Sequence, residues 1–350
     1  MLFEQLIYDY TLRNVALGSA FLGILSGILG TYAVLKKQSL IGDALSHSAL
    51  PGIVLVFLIS GTKESSFLLL GAAVAALIAN LFIIGITRKT KLKNDTALGV
   101  VLSVFFGFGL VLLTVAQNIA DSRQAGLDTF IFGQAATIIY SDVLVLGITS
   151  ITIITILMFM WKEFKILVFD TDYTYSLGFP VKFLDLFLSF LIVIAIVLGL
   201  QIVGVILMSA LIIAPAVAAR QFTDKLSLMV ILSGFFGAFA GVSGAVTSSL
   251  THNLPTGPTI IIIISLIVFF SLFFAPKRGI LIKKIRESKR RTVIKEEFLL
   301  IEMYKIYIQH DKLNKPHSVE ILKLLNKFSG SIDDVLNKLK AQGFINIEAD

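Results

Sequence analysis

The chain has 350 residues, of which 56% are hydrophobic and 15% charged. A soluble domain carries about 25% charged residues, so the composition excludes an ordinary soluble globule and indicates a polytopic membrane protein. No cysteine is present, which removes disulfides and thiolate metal sites. The net charge of +7 sits in the tail, since residues 1–275 carry 14 Lys/Arg against 13 Asp/Glu and residues 276–350 carry 16 against 10.

In chain order, residues 1–14 read as an amphipathic lead-in with two acids before the first base, unlike the head of a signal peptide. Residues 15–35 form the first predicted span and end in Lys36 and Lys37. Residues 40–60 form the second, opened by SLIGDALSHSALPG, and residues 67–87 the third. The third ends in TRKTKLKND, the densest basic loop of the apolar portion, which places that end in the cytoplasm. Residues 96–116 are the fourth span. Residues 117–140 are mixed, and FIFGQAATI within them reads as re-entrant or interfacial. Residues 141–161 are the fifth span, followed by the basic WKEFK and the irregular polar stretch FDTDYTYSLGFP.

Residues 183–200 and 202–219 are the sixth and seventh spans, with almost no loop between them. Residues 228–250, rich in Gly and Ala as close packing in lipid requires, are the eighth, and residues 259–275 the ninth. Alternating sides, every Lys/Arg-rich end falls on one face, so the N-terminus is expected outside and the C-terminus in the cytoplasm. The expected fold is thus an all-α polytopic membrane protein with about nine transmembrane helices, or eight with one long broken helix. Its membrane domain covers residues 1–280. Residues 281–297 are a basic juxtamembrane linker that stops transfer and pairs with anionic lipid. Residues 298–350 read as a small cytoplasmic winged-helix-like domain: helices over 298–310, 317–328 and 331–341, the last capped by Ser331, then a strand after Gly343. Its presumed recognition helix carries Asp333 and Asp334 beside Lys338 and Lys340. That charge disfavours nucleic acid and favours a protein-interaction or regulatory role.

Asp43 and His47 are the pair that carries chemistry. Four residues apart on a helix, they share one face a turn apart, and an aspartate and an imidazole so placed can hold a divalent cation together. They open a span whose next residues, 53–59, are wholly apolar, and ionisable groups at such depth mark a substrate path or a buried partner. A hydrogen-bonded packing pair fits the spacing equally well. His252 lies in THNLPTGP, where Pro255, Gly257 and Pro258 break the helix, and is either a ligand or an ordinary loop residue. No GxxxxGK[ST] occurs, so the chain has no P-loop for ATP.

The run LKKQSLIGDALSHSALPGIVL resembles the DALSHA-lPG signature of the permease subunits of manganese, zinc and iron ABC importers. VGVILMSALIIAPAVAARQ, LPTGPTIII and FDTDYTYSLGFP are similar to three further blocks of that family, and together the resemblance covers about residues 10–280. It implies a non-catalytic membrane subunit of the bacterial cytoplasmic membrane with no permanently bound cofactor, whose cargo is a divalent metal. Its partners would be a cytoplasmic ABC ATPase, a second permease subunit (identical or not) and an extracytoplasmic metal-binding protein. The resemblance implies that Asp43 and His47 contact the metal in transit. It also implies that the connection of Ala219, Arg220, Gln221, Phe222 and Asp224 couples to the ATPase. Many relatives carry an acid where this chain has Asn253, so Asn253 beside His252 is a weaker candidate donor. The tail resembles extensions of some manganese-type permeases, which tilts the cargo towards manganese. A gradient-driven transporter using Asp43 as proton carrier is the main competitor, and a membrane-anchored regulator acting through the tail is the other. The lack of acids in most other spans argues against the first, because proton relays chain several carboxylates. The weakly charged recognition helix argues against the second.

Overall fold

Hydrocarbon offers no hydrogen-bond partners, so a chain crossing it must satisfy its backbone within each segment, and the helix does this. The computed structural model describes residues 9–61, 64–118, 138–250, 254–309 and 332–346, and every regular element among them is helical. The chain runs through α1 (Tyr10–Leu35), α2 (Ile41–Ser48), α3 (Leu50–Ser60), α4 (Ser65–Lys89), α5 (Asn94–Asn118) and α6 (Tyr140–Phe159). It continues through α7 (Trp161–Phe169), α8 (Thr171–Ser176), α9 (Val181–Val203), α10 (Val205–Phe222), α11 (Leu226–Leu250) and α12 (Thr256–Phe274), then α13 (Ile280–Gln309) and α14 (Ile332–Ala341). Contacts divide it into two units, Met1–Ala275 and Pro276–Asp350.

Eight helices among the described residues are long and apolar enough to cross a membrane, with α2 and α3 joined into one span, Ile41–Ser60. The expected seventh span is a separate helix, α10. It is parted from α9 by Gly204 at φ 85, a left-handed conformation that costs glycine little. Its apolar stretch is shorter than a standard span, and it carries Pro215 inside and Arg220 in its last turn. The break falls where the sequence left almost no loop, and it separates two helices rather than bending one. The FIFGQAATI segment, apart from Ile138, lies outside the described residues.

α1 is the axis of the first unit. It packs on α6, α9, α10 and α11, and Leu22, Leu25, Leu29 and Tyr32 along it are fully buried. Lipid tails are as apolar as leucine, so helices here associate through close packing and interhelical hydrogen bonds rather than by escaping water. The α1–α11 seam uses both. A Cβ on Gly23 would collide with the carbonyl of Gly237, and one on Gly237 with the carbonyl of Gly23. One turn away, Ser233 Oγ donates to the Gly27 carbonyl at 2.6 Å. α4 shows the complementary pattern. Its small residues Gly71, Ala72, Ala75, Ala76 and Ala79 face inward, while Leu70, Val74, Ile78 and Leu81 are exposed, as lipid contact requires.

In the second unit the stretch expected as a linker, residues 281–297, is the first half of the continuous helix α13. A small core of Leu299, Val335, Leu336 and Leu339 joins α13 to α14, and Lys338 Nζ donates to Glu296. The winged-helix reading is not supported. Phe344 to Asn346 form no strand, no strand occurs among the described residues, and the expected helix over 317–328, with Ser331, lies outside them. The expected strand rested on a short β-prone run, FINIE, whose last two residues lie outside the described ones and which has no partner strand among them.

The glycine seam is testable. Gly23→Ala or Gly237→Ala forces the α1 and α11 backbones apart, an overpacking cost of about 1–3 kcal/mol, and is expected to lower the thermal unfolding midpoint in detergent. Gly107→Ala, where a Cβ would meet nothing within 4 Å, is expected to leave that midpoint unchanged or raise it.

Candidate functional site

The site begins with the turn that ends α1. Lys36 caps the helix, Lys37 takes the left-handed conformation at φ 58, Lys37 N–H donates to the Val34 carbonyl and Gln38 N–H to the Ala33 carbonyl. This pairing is a Schellman closure, usually built on glycine. Lys37 is the only non-glycine residue with positive φ among the described residues. The turn delivers the chain directly into α2, with Asp43 in its first turn and His47 in its last. Those positions suit the helix dipole, which favours an anion near the N-terminus and a cation near the C-terminus.

The expected pair is formed. His47 Nε2 stands 3.3 Å from Asp43 Oδ1, with the two side chains 17% and 36% exposed. Phe106, from α5, sets its ring edge-on to the imidazole at 4.6 Å between centroids. His47 Nδ1 is buried with no hydrogen-bond partner. One imidazole nitrogen is therefore engaged by the carboxylate and the other faces protein. The imidazole can reach a cation only by parting from Asp43 or by turning against Phe106.

Asp43 borders a cleft of about 540 Å³ between α2, α10 and α12. Ser39, Ser209 and Ser265 line it together with apolar side chains such as Ile213 and Phe269. A carboxylate bordering an otherwise largely apolar cleft can offer an oxygen to a passing cation. Among the described residues no group of three or more His, Asp and Glu side chains converges.

His252 and Asn253 lie outside the described residues. Ala219, Arg220, Gln221 and Phe222 complete α10, Asp224 follows in the bend to α11, and Arg220 Nη1 lies 3.9 Å from Asp224 Oδ1. The FDTDYTYSLGFP stretch forms a second compact connection. Asp170 caps α8 by accepting from Tyr173 N–H, Gly178 at φ 83 ends it, and Tyr173, Tyr175 and Leu177 are exposed. The reading of the sequence missed Phe106 and the three cleft serines, which are indistinguishable there from other residues of apolar spans.

A cation-competent pair on an open cleft in a bundle of spanning helices defines a membrane transport subunit. Residues 8–275 match the ABC 3 transport family, to which this chain belongs. It is 46% identical over 293 residues to the zinc transport system membrane protein TroC of Treponema pallidum, covering 84% of this chain and 98% of the relative. It is 44% identical over 320 residues to the manganese transport system membrane protein MntC of Bacillus subtilis, covering 91% and 72%. That match is longer than the first unit and so takes in part of the tail. Among solved structures, PsaBC from Streptococcus pneumoniae in complex with Fab matches with a TM-score of 0.69 and 30% identity, covering 81% of this chain and 98% of that one.

The cleft can be probed because the chain has no cysteine. A Val217→Cys variant, on the cleft wall, is expected to react with a water-soluble thiol reagent in detergent much faster than Ile212→Cys, which is fully buried on the same helix. Equal labelling rates would show that the cleft is closed to water.

Proposed function

We propose that the chain is the permease of an ATP-driven importer of a divalent transition metal, with manganese the first expectation and zinc or iron close behind. The observation that carries this is the Asp43–His47 pair at the edge of the cleft. One carboxylate and one imidazole suit borderline and moderately hard cations such as manganese, iron and zinc. The relatives named above are manganese and zinc systems, which supports the same cargo. Asp43 and His47 are the metal contacts of this reading, with His252 and Asn253 as further candidates at the far end of α11.

The chain would lie in the bacterial cytoplasmic membrane with its N-terminus outside and its C-terminus in the cytoplasm. α10 then counts as a ninth crossing, since that orientation needs an odd number. A second permease subunit would cover the open cleft and bring its own donors, completing a coordination shell that two ligands leave unfilled. A cytoplasmic ATPase would dock on residues 219–224 and on the exposed face of α8, and an extracytoplasmic metal-binding protein would deliver the cargo. Hydrolysis takes place in the ATPase, and the metal is cargo rather than a resident cofactor. The tail is a regulatory or assembly element, and its basic first half favours anionic lipid.

A gradient-driven mechanism is the weaker reading, because it needs a relay of carboxylates, and among the described residues no group of three or more His, Asp and Glu side chains converges. Co-purification of an ATPase with the chain, and uptake that requires it, would exclude that mechanism.

Asn retains the size and hydrogen-bonding capacity of Asp43 but not its charge. Asp43→Asn and His47→Ala are each expected to nearly abolish metal accumulation at normal membrane levels, and Asp43→Glu to restore part of it. Elemental analysis of manganese and zinc in cells dependent on this importer reads the outcome. Full accumulation by Asp43→Asn would return the pair to a packing role. Phe106→Leu is expected to raise the apparent KM about 2- to 10-fold, since an aromatic edge contact contributes about 0.5–1.5 kcal/mol.

A further inference from the structure

A second cluster of charges gathers the ends of three helices. Lys36, the cap of α1, donates through Nζ to Asp185 Oδ1, and Arg88, in the last turn of α4, donates through Nη2 to Asp185 Oδ2 at 3.3 Å. Asp185 lies in the first turns of α9. Both oxygens of one carboxylate are thus held, each by a different helix. The Lys36 and Asp185 side chains are 13% and 23% exposed, whereas Arg88 is 37% exposed. Partial burial makes loss of one partner of the Lys36 bond costly, since the other charge would be left uncompensated. The longer and wetter Arg88 contact is the one that can exchange.

The cluster stands between two functional elements. Upstream of Asp185 the chain leads through Pro180 and Gly178 to α8. Downstream of Lys36 it passes through the left-handed Lys37 into α2, where Asp43 sits in the first turn. The Schellman bonds of the turn leave few soft torsions between Lys36 and Asp43. A displacement of α8 is therefore carried along α9 to a carboxylate that grips the root of the metal-bearing helix.

We propose that Asp185 is a positioning residue for transport. It ties the movement of the α7–α9 connection to the α1–α2 turn, and so makes the placement of Asp43 follow the state of the ATPase. The proposal rests on the reading of the chain as an ATP-driven permease. In that reading α8 is pushed from the cytoplasmic side, Arg88 lets go or takes hold, and Lys36 keeps its bond and moves with Asp185. Spatial continuity alone does not establish coupling, which has to be measured as non-additivity.

The test uses the complete importer, the permease subunits with the ATPase and the metal-binding protein, in proteoliposomes, and measures manganese moved per ATP hydrolysed alongside thermal unfolding. Asp185→Asn is expected to assemble and hydrolyse ATP as the wild type does, while metal moved per ATP falls about tenfold, within the range of coupling energies between contacting residues. Asp185→Glu, which can still reach both cations, is expected to recover most of the ratio. Lys36→Met combined with Asp185→Asn is expected to cost no more than either alone. A purely structural role would lower protein yield, unfolding midpoint and hydrolysis together and leave the ratio unchanged, and that result overturns the proposal. Should Asp185→Asn not assemble, Arg88→Gln alters only the exposed contact. A several-fold fall in its ratio supports the proposal, and an unchanged ratio overturns it. Wild-type liposomes that move manganese without hydrolysis would remove the import reading itself, and the proposal with it.

Discussion

A carboxylate charge at the centre of a membrane span costs about 2.5–3.5 kcal/mol on insertion scales; Asp43 stands in the first turn of its span, where the cost is smaller, and its surroundings lower it further. The His47 imidazole engages one of its oxygens, the N-terminal turn of α2 favours its charge, and the cleft gives it room for water. In the proposed reading the pair parts to admit a dication, with the carboxylate and the imidazole as its contacts.

The packing that presents this pair follows from lipid as solvent. With little hydrophobic gain on helix association, α1 and α11 approach until backbone meets backbone at Gly23 and Gly237, and Ser233 adds a hydrogen bond across the seam. A rigid α1 fixes the turn at Lys37, and the turn fixes α2. Apolar bulk is spent outward instead, on faces such as that of Leu70, Val74 and Ile78. The tail follows the opposite rule. Leu299, Val335, Leu336 and Leu339 turn inward to a small core, and Glu296 pairs with Lys338.

Two cytoplasmic connections of different design bracket the bundle in the proposed orientation. The α10–α11 bend is short and holds an Arg220–Asp224 pair one turn apart. The α7–α9 connection carries its own capped helix with exposed aromatic side chains. A partner that pushes on both would move α9 and α10 together, and these two helices meet at Gly204, a joint with no Cβ to restrict it.

Much of this architecture was legible in the sequence, because long apolar runs, basic loop ends and a four-residue spacing are local properties. The spans around residues 15–35 and 67–87 and the Asp43–His47 pair needed only hydrophobicity and helical periodicity. The short α10 was half legible: a near-absent loop was expected around residue 201, and the structure places the break at Gly204. The tail misled, because FINI has strand-like composition and composition cannot say whether a second strand is there to pair with. Tertiary structure alone decided what stands beside Asp43 and His47. Phe106 arrives from α5, Ser209 from α10 and Ser265 from α12, and Asp185 reaches Lys36 across 149 residues of sequence. The physical reason is that periodicity tells which face of a helix turns inward, while the register between helices is set by where backbones can touch, and that is a property of pairs of surfaces rather than of any one segment.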